Sequence, residues 1–280
     1  MLNIFRTYTI PLDDWIEFAV EWLVSNFRPQ FQAIKWPVEV MLNGIDGFLQ
    51  WVPGIIIILA IALFAWKVAS WKIGLFSFIS LMFIGFLGLW PETMTTLAMV
   101  ISAVVVCILI GVPLGILSSR SDKFEASLRP VLDAMQTTPA FVYLVPVVML
   151  FSIGTVAGVI ATIIFSMPPI IRLTNLGIRQ VHPELIEATY SFGATKKQVL
   201  WKVQIPLAMK TIMAGLNQTI MLSLSMVVIA SLIGAGGLGV PVFEGLNSLQ
   251  VGLAGIGGLS IVLMAMVLDR VTQALGETQS

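Results

Sequence analysis

The sequence predicts an all-α polytopic membrane protein, with about seven transmembrane helices preceded by interfacial helices, and three observations carry that reading. Of its 280 residues 58% are hydrophobic and only 11% charged, with a mean hydropathy of +0.96, which lies outside the soluble globular range. Apolar runs near residues 52–70, 73–90, 94–118, 130–151, 155–172, 207–233 and 250–268 each approach the length that crosses about 30 Å of hydrocarbon. Basic residues are also lopsided. Lys67, Lys72, Arg120, Lys123, Arg129, Arg172, Arg179, Lys196, Lys197, Lys202, Lys210 and Arg270 fall on one face, against Arg6, Arg28 and Lys35 on the other. The richer face is expected to be cytoplasmic, which puts the N-terminus outside and, after seven crossings, the C-terminus inside.

Residues 1–50 are mixed in polarity. Around Trp15–Val24 the acidic residues Glu17 and Glu21 recur four apart and leave an apolar, Trp-rich remainder, the pattern of a helix lying in an interface. Residues 38–50 are expected to form a second such helix leading to Trp51. No basic region followed by an apolar stretch opens the chain, so no cleavable signal peptide is evident. Trp51, Trp66, Trp71 and Trp90 lie near span ends, where an indole keeps its N–H wet. Trp15, Trp22 and Trp36 read as anchors of the same kind, with an aromatic cage for a quaternary ammonium group as the alternative. The runs at 130–151 and 155–172 carry Pro130, Pro139, Pro146 and Pro168-Pro169. Proline inside a span frees backbone carbonyls and is tolerated where protein or a cavity covers the break, so this region is expected to line a pathway.

Between the fifth and sixth runs lies a polar island, residues 183–206. Pro183 suits the first turn of a helix, Glu184 and Glu187 place negative charge at its positive end, and Gly193 can stop it in a left-handed cap. Thr195 with Gln198 has the spacing of a capping box, and Pro206 marks the entry to the next apolar run. Two short helices joined at Gly193 are expected.

Glu187-Ala188-Thr189, Gly193, Val203 and Ile205-Pro206 resemble the EAA loop of ABC importer permeases: Glu-Ala-Ala, three residues, Gly, nine residues, Ile-x-Leu-Pro. Thr189, Val203 and Ile205 depart from that pattern conservatively. The stretches from Leu132 to Leu144 and from Ser225 to Gly239 are similar to segments of the glycine betaine/proline (osmoprotectant) branch of these permeases. The resemblance runs from about residue 50 to the C-terminus. It implies a type I ABC importer transmembrane domain over 51–280, with 1–50 an extracytoplasmic interfacial segment and 173–206 the cytoplasmic coupling loop. Glu184, Glu187, Ala188, Thr189, Gly193, Ala194 and Pro206 are then the residues expected to couple to an ABC ATPase subunit.

The remaining candidates have two readings each. Gly234-Ala235-Gly236-Gly237-Leu238-Gly239 satisfies G-x-G-x-x-G but follows an apolar helix rather than a strand, so it reads as a flexible exit turn, with Gly234, Gly236 and Gly237 a candidate gate hinge. Asp133 is expected to pair with Arg129, four residues earlier. Thr211, Gly215, Thr219 and Ser223 recur four apart and give one small, polar helix face, suited to close packing. Thr137, Thr138, Pro139, Asn217, Ser223 and Ser225 are the candidate pathway residues. His182 reads as solvated, Cys107 as a small core or lipid-facing residue, and neither belongs to a metal-ligand or catalytic set.

No G-x-x-x-x-G-K-[ST] occurs, so no cofactor is expected on this chain and ATP with Mg is expected on the partner ATPase. Other expected partners are an extracytoplasmic substrate-binding protein, a second copy of the chain and the lipid membrane. Zero formal net charge points away from nucleic acid. The function implied is that of a non-enzymatic permease for a compatible solute such as glycine betaine or proline, in a prokaryotic inner membrane. The alternatives are a permease of the same fold for an amino acid or sulfonate, or an ion-coupled secondary carrier. The carrier would need acidic residues at mid-membrane, and only Asp133 comes near.

Overall fold

The structure is a computed structural model that describes residues 11–277, and every described element is helical. Helix α1, Leu12–Trp51, is one 40-residue helix that continues through Pro29 and Pro37, so the two interfacial helices expected over the first fifty residues are joined into one. Residues 1–10 of that expected segment lie outside the described residues. Each proline removes one donor, and neither stops the helix. Pro53 does: it holds Val52 extended (φ −73°, ψ 131°), and α2, Gly54–Val68, leaves at 104° to α1. If α2 runs along a membrane normal, α1 lies nearly flat. Trp15, Trp22 and Trp36 therefore sit along one rod, spread over about 30 Å at 1.5 Å per residue, and do not close into an aromatic cage within one chain.

Ser70 caps α3, Trp71–Phe86, by accepting the Ile73 N–H, and Gly88 turns the chain into α4, Trp90–Arg120. Ser121 caps α5, Asp122–Thr137. The continuous span expected over 130–151 is broken here. Pro139 holds Thr138 extended, a short 3-10 turn follows at Ala140–Tyr143, and α6, Leu144–Phe151, leaves at 107° to α5. Pro139 has no N–H to offer the Met135 carbonyl, and the Tyr143 hydroxyl donates to that oxygen at 2.6 Å instead.

Helix α7, Thr155–Arg179, is the axis of the fold and its most buried long helix. It keeps its helical course through Pro168-Pro169. Both of its main neighbours approach at small residues. On α4, a Cβ at Gly111 would lie 2.5 Å from the Ile170 side chain and one at Gly115 2.6 Å from Thr174. On α10, Ile205–Ala230, a Cβ at Gly215 would lie 2.9 Å from Leu173. The small face expected from Thr211, Gly215, Thr219 and Ser223 is this α7–α10 seam, with Ser223 donating to Ser166 at 2.9 Å. Cys107 is buried in the same core.

The chain ends with a glycine-rich turn, α11 over Gly239–Asn247, and α12 over Val251–Glu277. By length and composition four helices can cross a membrane: Trp90–Arg120, Thr155–Arg179, Lys196–Ile233 and Val251–Gly276. Counting each bent pair as one span makes up to six, and α3 is a shorter apolar helix of 16 residues.

Candidate functional site

The first helix of the 183–206 loop is exposed, while Val199 and Leu200 at its far end are buried against the bundle. Pro183 opens α8, Pro183–Ser191, none of whose residues is buried. Its C-terminus closes as a Schellman motif: the Gly193 N–H reaches the Tyr190 carbonyl at 2.8 Å and the Ala194 N–H the Thr189 carbonyl at 3.3 Å. Gly193 sits at φ +80°, where a side chain is strained. The chain then restarts at α9, Lys196–Val199, under a complete capping box in which the Thr195 hydroxyl accepts the Gln198 N–H and the Gln198 side chain accepts the Thr195 N–H.

Here the structure departs from two separate short helices. A π-turn, Leu200–Gln204, carries α9 into α10, so the second helix is the beginning of the span itself, Lys196–Ile233. Pro206 cannot donate to the carbonyl four residues back and crowds it, and the turn ahead of it widens by one residue.

The loop presents Leu185, Tyr190, Phe192 and Trp201 to the outside, with Phe192 92% exposed. Glu184 and Glu187 are exposed and, among the described residues, have no ion-pair partner. Ala188 is exposed beside them and Pro206 at the entry of α10. Exposed apolar side chains thus lie in the same segment as two unpaired carboxylates.

Ion pairs tie down the bundle next to this loop. Arg172 pairs with Asp133 at 2.5 Å, not Arg129 with Asp133 as expected. Arg129 turns to Glu125, 2.8 Å away, because an acid placed four residues before a base suits the helix dipole better than the reverse. Arg179 ties α7 to two helices: to α5 through Asp122 at 2.7 Å and Glu125 at 3.2 Å, and to α4 through the Ser118 carbonyl at 2.9 Å.

At the opposite end the glycine turn is packed rather than free. Gly234, Gly236 and Gly237 have φ of +70°, +81° and +76°. Ala235 and Leu238 are fully buried, and the Leu238 N–H donates to the Thr96 hydroxyl at 2.8 Å. A Cβ at Gly158 would lie 2.6 Å from Ala235, and the Gly154 N–H donates to the Ile233 carbonyl at 3.1 Å. Helices α4 and α7 thus hold the turn from two sides.

The candidate pathway residues do not form one cluster in a single chain. Thr137, Thr138 and Pro139 mark the α5–α6 break, and Ser225 is exposed on α10. Ser223 is committed to Ser166. Asn217 donates to Asp269 at 3.1 Å and accepts from the Thr272 hydroxyl, tying α10 to α12. Asp269, Thr272 and Thr96 were not singled out from the sequence. Their partners lie 52, 55 and 142 residues away, and no local pattern marks them.

Residues 108–277 match the family of the binding-protein-dependent transport system inner membrane component. The chain is 54% identical over 276 residues to the glycine betaine/proline betaine transport system permease protein ProW of Escherichia coli (strain K12), covering 99% of this chain and 78% of that one. It is 46% identical over 268 residues to the glycine betaine transport system permease protein OpuAB of Bacillus subtilis (strain 168), covering 96% and 95%. A chain of the methionine ABC transporter MetNI has a TM-score of 0.61 at 21% identity, over 71% of this chain and 97% of that one, a likeness of fold. Together these place the chain in the family of binding-protein-dependent transport system inner membrane components, as a multi-pass permease subunit.

Proposed function

We propose that the chain is the permease of an ATP-driven importer for a compatible solute such as glycine betaine or proline. The observation that carries this reading is the 54% and 46% identity to two betaine permeases over 96–99% of the chain. The exposed α8 surface supports a coupling role: Glu184, Glu187, Ala188, Thr189, Gly193 and Ala194 seat in a groove of an ABC ATPase subunit, and α10 carries the movement inward from Pro206. ATP and Mg bind on that subunit, and this chain does no chemistry of its own. Residues 173–206 face the cytoplasm of a prokaryotic cell and α1 lies flat on the outer surface of its inner membrane, a placement supported by the twelve-to-three basic asymmetry and the 104° bend. A second copy completes the pathway, because the polar groups at the α5–α6 break and Ser225 face outward from one chain. In this arrangement Thr137, Thr138, Pro139 and Ser225 line the route, while Asn217 and Ser223 fix the helices around it. An extracytoplasmic binding protein docks over the end that carries Gly234, Gly236 and Gly237, which open as a hinge.

The test is ATPase activity of the complex purified through a tag on this chain from its native membrane, with and without glycine betaine and the extracytoplasmic protein fraction. Betaine-stimulated hydrolysis that disappears in Glu187→Arg or Gly193→Pro, with the folded permease retained, is the expected result. Hydrolysis indifferent to betaine would move the substrate elsewhere, and an intact complex with no ATPase would overturn the importer reading.

A further inference from the structure

Nothing in α8 is buried, so its placement depends on its two ends, the π-turn on the α10 side and the last turn of α7 on the other. The α7 end is held from several directions. A Cβ on Gly177 would meet Thr211 at 3.0 Å and Ala208 at 3.2 Å, so α7 lies close against α10 there, and Val181 beyond it is buried. Between these two, four residues before Pro183, stands Arg179. Every nitrogen of its guanidinium has an acceptor. Nε donates to Asn175 Oδ1 at 2.9 Å, Nη1 pairs with Asp122 at 2.7 Å, and Nη2 donates to the Ser118 carbonyl at 2.9 Å and pairs with Glu125 at 3.2 Å. A planar fork engaged at all three nitrogens fixes direction as well as distance.

Two of those acceptors belong to α5, a helix in which, among the described residues, Leu132 alone is buried. Polar links therefore carry much of its attachment to α7. The second link is Arg172 to Asp133. Arg172 and Arg179 are seven residues apart, two turns on one face of α7 and about 10 Å along its axis, while Glu125 and Asp133 are eight apart on α5. The two links thus form rungs between antiparallel helices. Each rung is partly exposed and adds little to stability, but two in register keep α5 from sliding or turning against α7. At its far end α5 runs into the 107° corner at Thr138-Pro139.

We propose that Arg179 is a positioning residue of the coupling loop: it locks the root of α8 to α5, so that a displacement of α8 reaches the α5–α6 break as well as α10. This rests on the importer reading above and adds a second route to it. The rungs act by geometry, holding two helices as one body through the transport cycle.

The test is the number of betaine molecules taken up per ATP hydrolysed, measured on the complex with its binding protein in proteoliposomes. A residue that only supports the fold lowers uptake and hydrolysis together and leaves their ratio unchanged. For Arg179→Gln the expected result is a ratio at least five-fold lower, with hydrolysis continuing. Arg179→Lys, which keeps the charge but not the fork, is expected to fall in between. Asp122→Asn/Glu125→Gln removes the α5 partners, leaves Arg179 in place, and is expected to match Arg179→Gln; it decides the matter if the arginine variant does not fold. An unchanged ratio in that double variant, with wild-type uptake intact, would overturn the role of Arg179 and leave the importer reading standing. Absence of ATP-dependent betaine uptake in the wild-type complex would overturn both.

Discussion

Helix α10 is approached from one end by a loop held together by its own neighbours and leaves at the other through a turn held together by distant ones. In the 183–206 loop the Schellman closure at Gly193 and the capping box at Thr195 join residues no more than five apart, and nothing in α8 is buried. In the glycine turn the Leu238 N–H is satisfied by Thr96, 142 residues away, and Ala235 sits against Gly158. The first keeps its shape with its surface free to meet a partner. The second keeps its shape only while α4 and α7 stay where they are, so a movement of those helices is felt there directly.

That contrast can be broken by substitution, and the largest effect is expected at the packed end. Gly237→Ala adds a Cβ 2.5 Å from the Thr96 hydroxyl at a φ of +76°. Left-handed strain and overpacking together cost about 3 kcal/mol, visible as a thermal midpoint several degrees lower in detergent. Thr96→Val is expected to cost about 1–3 kcal/mol by leaving the Leu238 N–H unpaired, and Thr96→Ser to recover most of it, measured by the same unfolding. Gly193→Ala is smaller. Its φ is +80°, but no atom lies within 4 Å of the added Cβ, so about 1 kcal/mol of strain remains. A midpoint for Gly193→Ala as low as that of Gly237→Ala would erase the distinction between the two ends. Least of all, the Asp133–Arg172 pair, with side chains 55% and 38% exposed, is expected to show a coupling of about 1 kcal/mol or less in a cycle of Asp133→Asn and Arg172→Gln.

The same contrast explains what could be read from the chain. The cap at Gly193, the capping box at Thr195 and the small-residue face through Gly215 are local or periodic, and their chemistry is written in residues three to five apart. Most of the apolar runs were legible because burial in lipid demands length and little else. The break after Thr137 was harder. Pro139 announced a disturbance, but a kinked helix and a 107° corner both begin with a proline, and the Tyr143 hydroxyl that satisfies Met135 decides nothing until the chain has turned. Asp133 had two arginines in reach, Arg129 by sequence and Arg172 by folding, and only the packing of α5 against α7 chose. Thr96 and Asp269 carried no local mark at all. Polar groups inside a bundle find partners across helices, and helix pairing is not a property of any one segment.

The π-turn ahead of Pro206 has a consequence of phase. In an α-helix each residue advances the chain by about 100° around the axis, so the one surplus residue at Leu200–Gln204 sets everything upstream about a quarter turn away from where an unbroken helix would aim it. The heading of the loop is thus encoded as a count of residues. Removing a single residue from that turn would swing α8 and the exposed Phe192 that follows it around the axis of α10 like a hand on a dial, with every side chain unchanged.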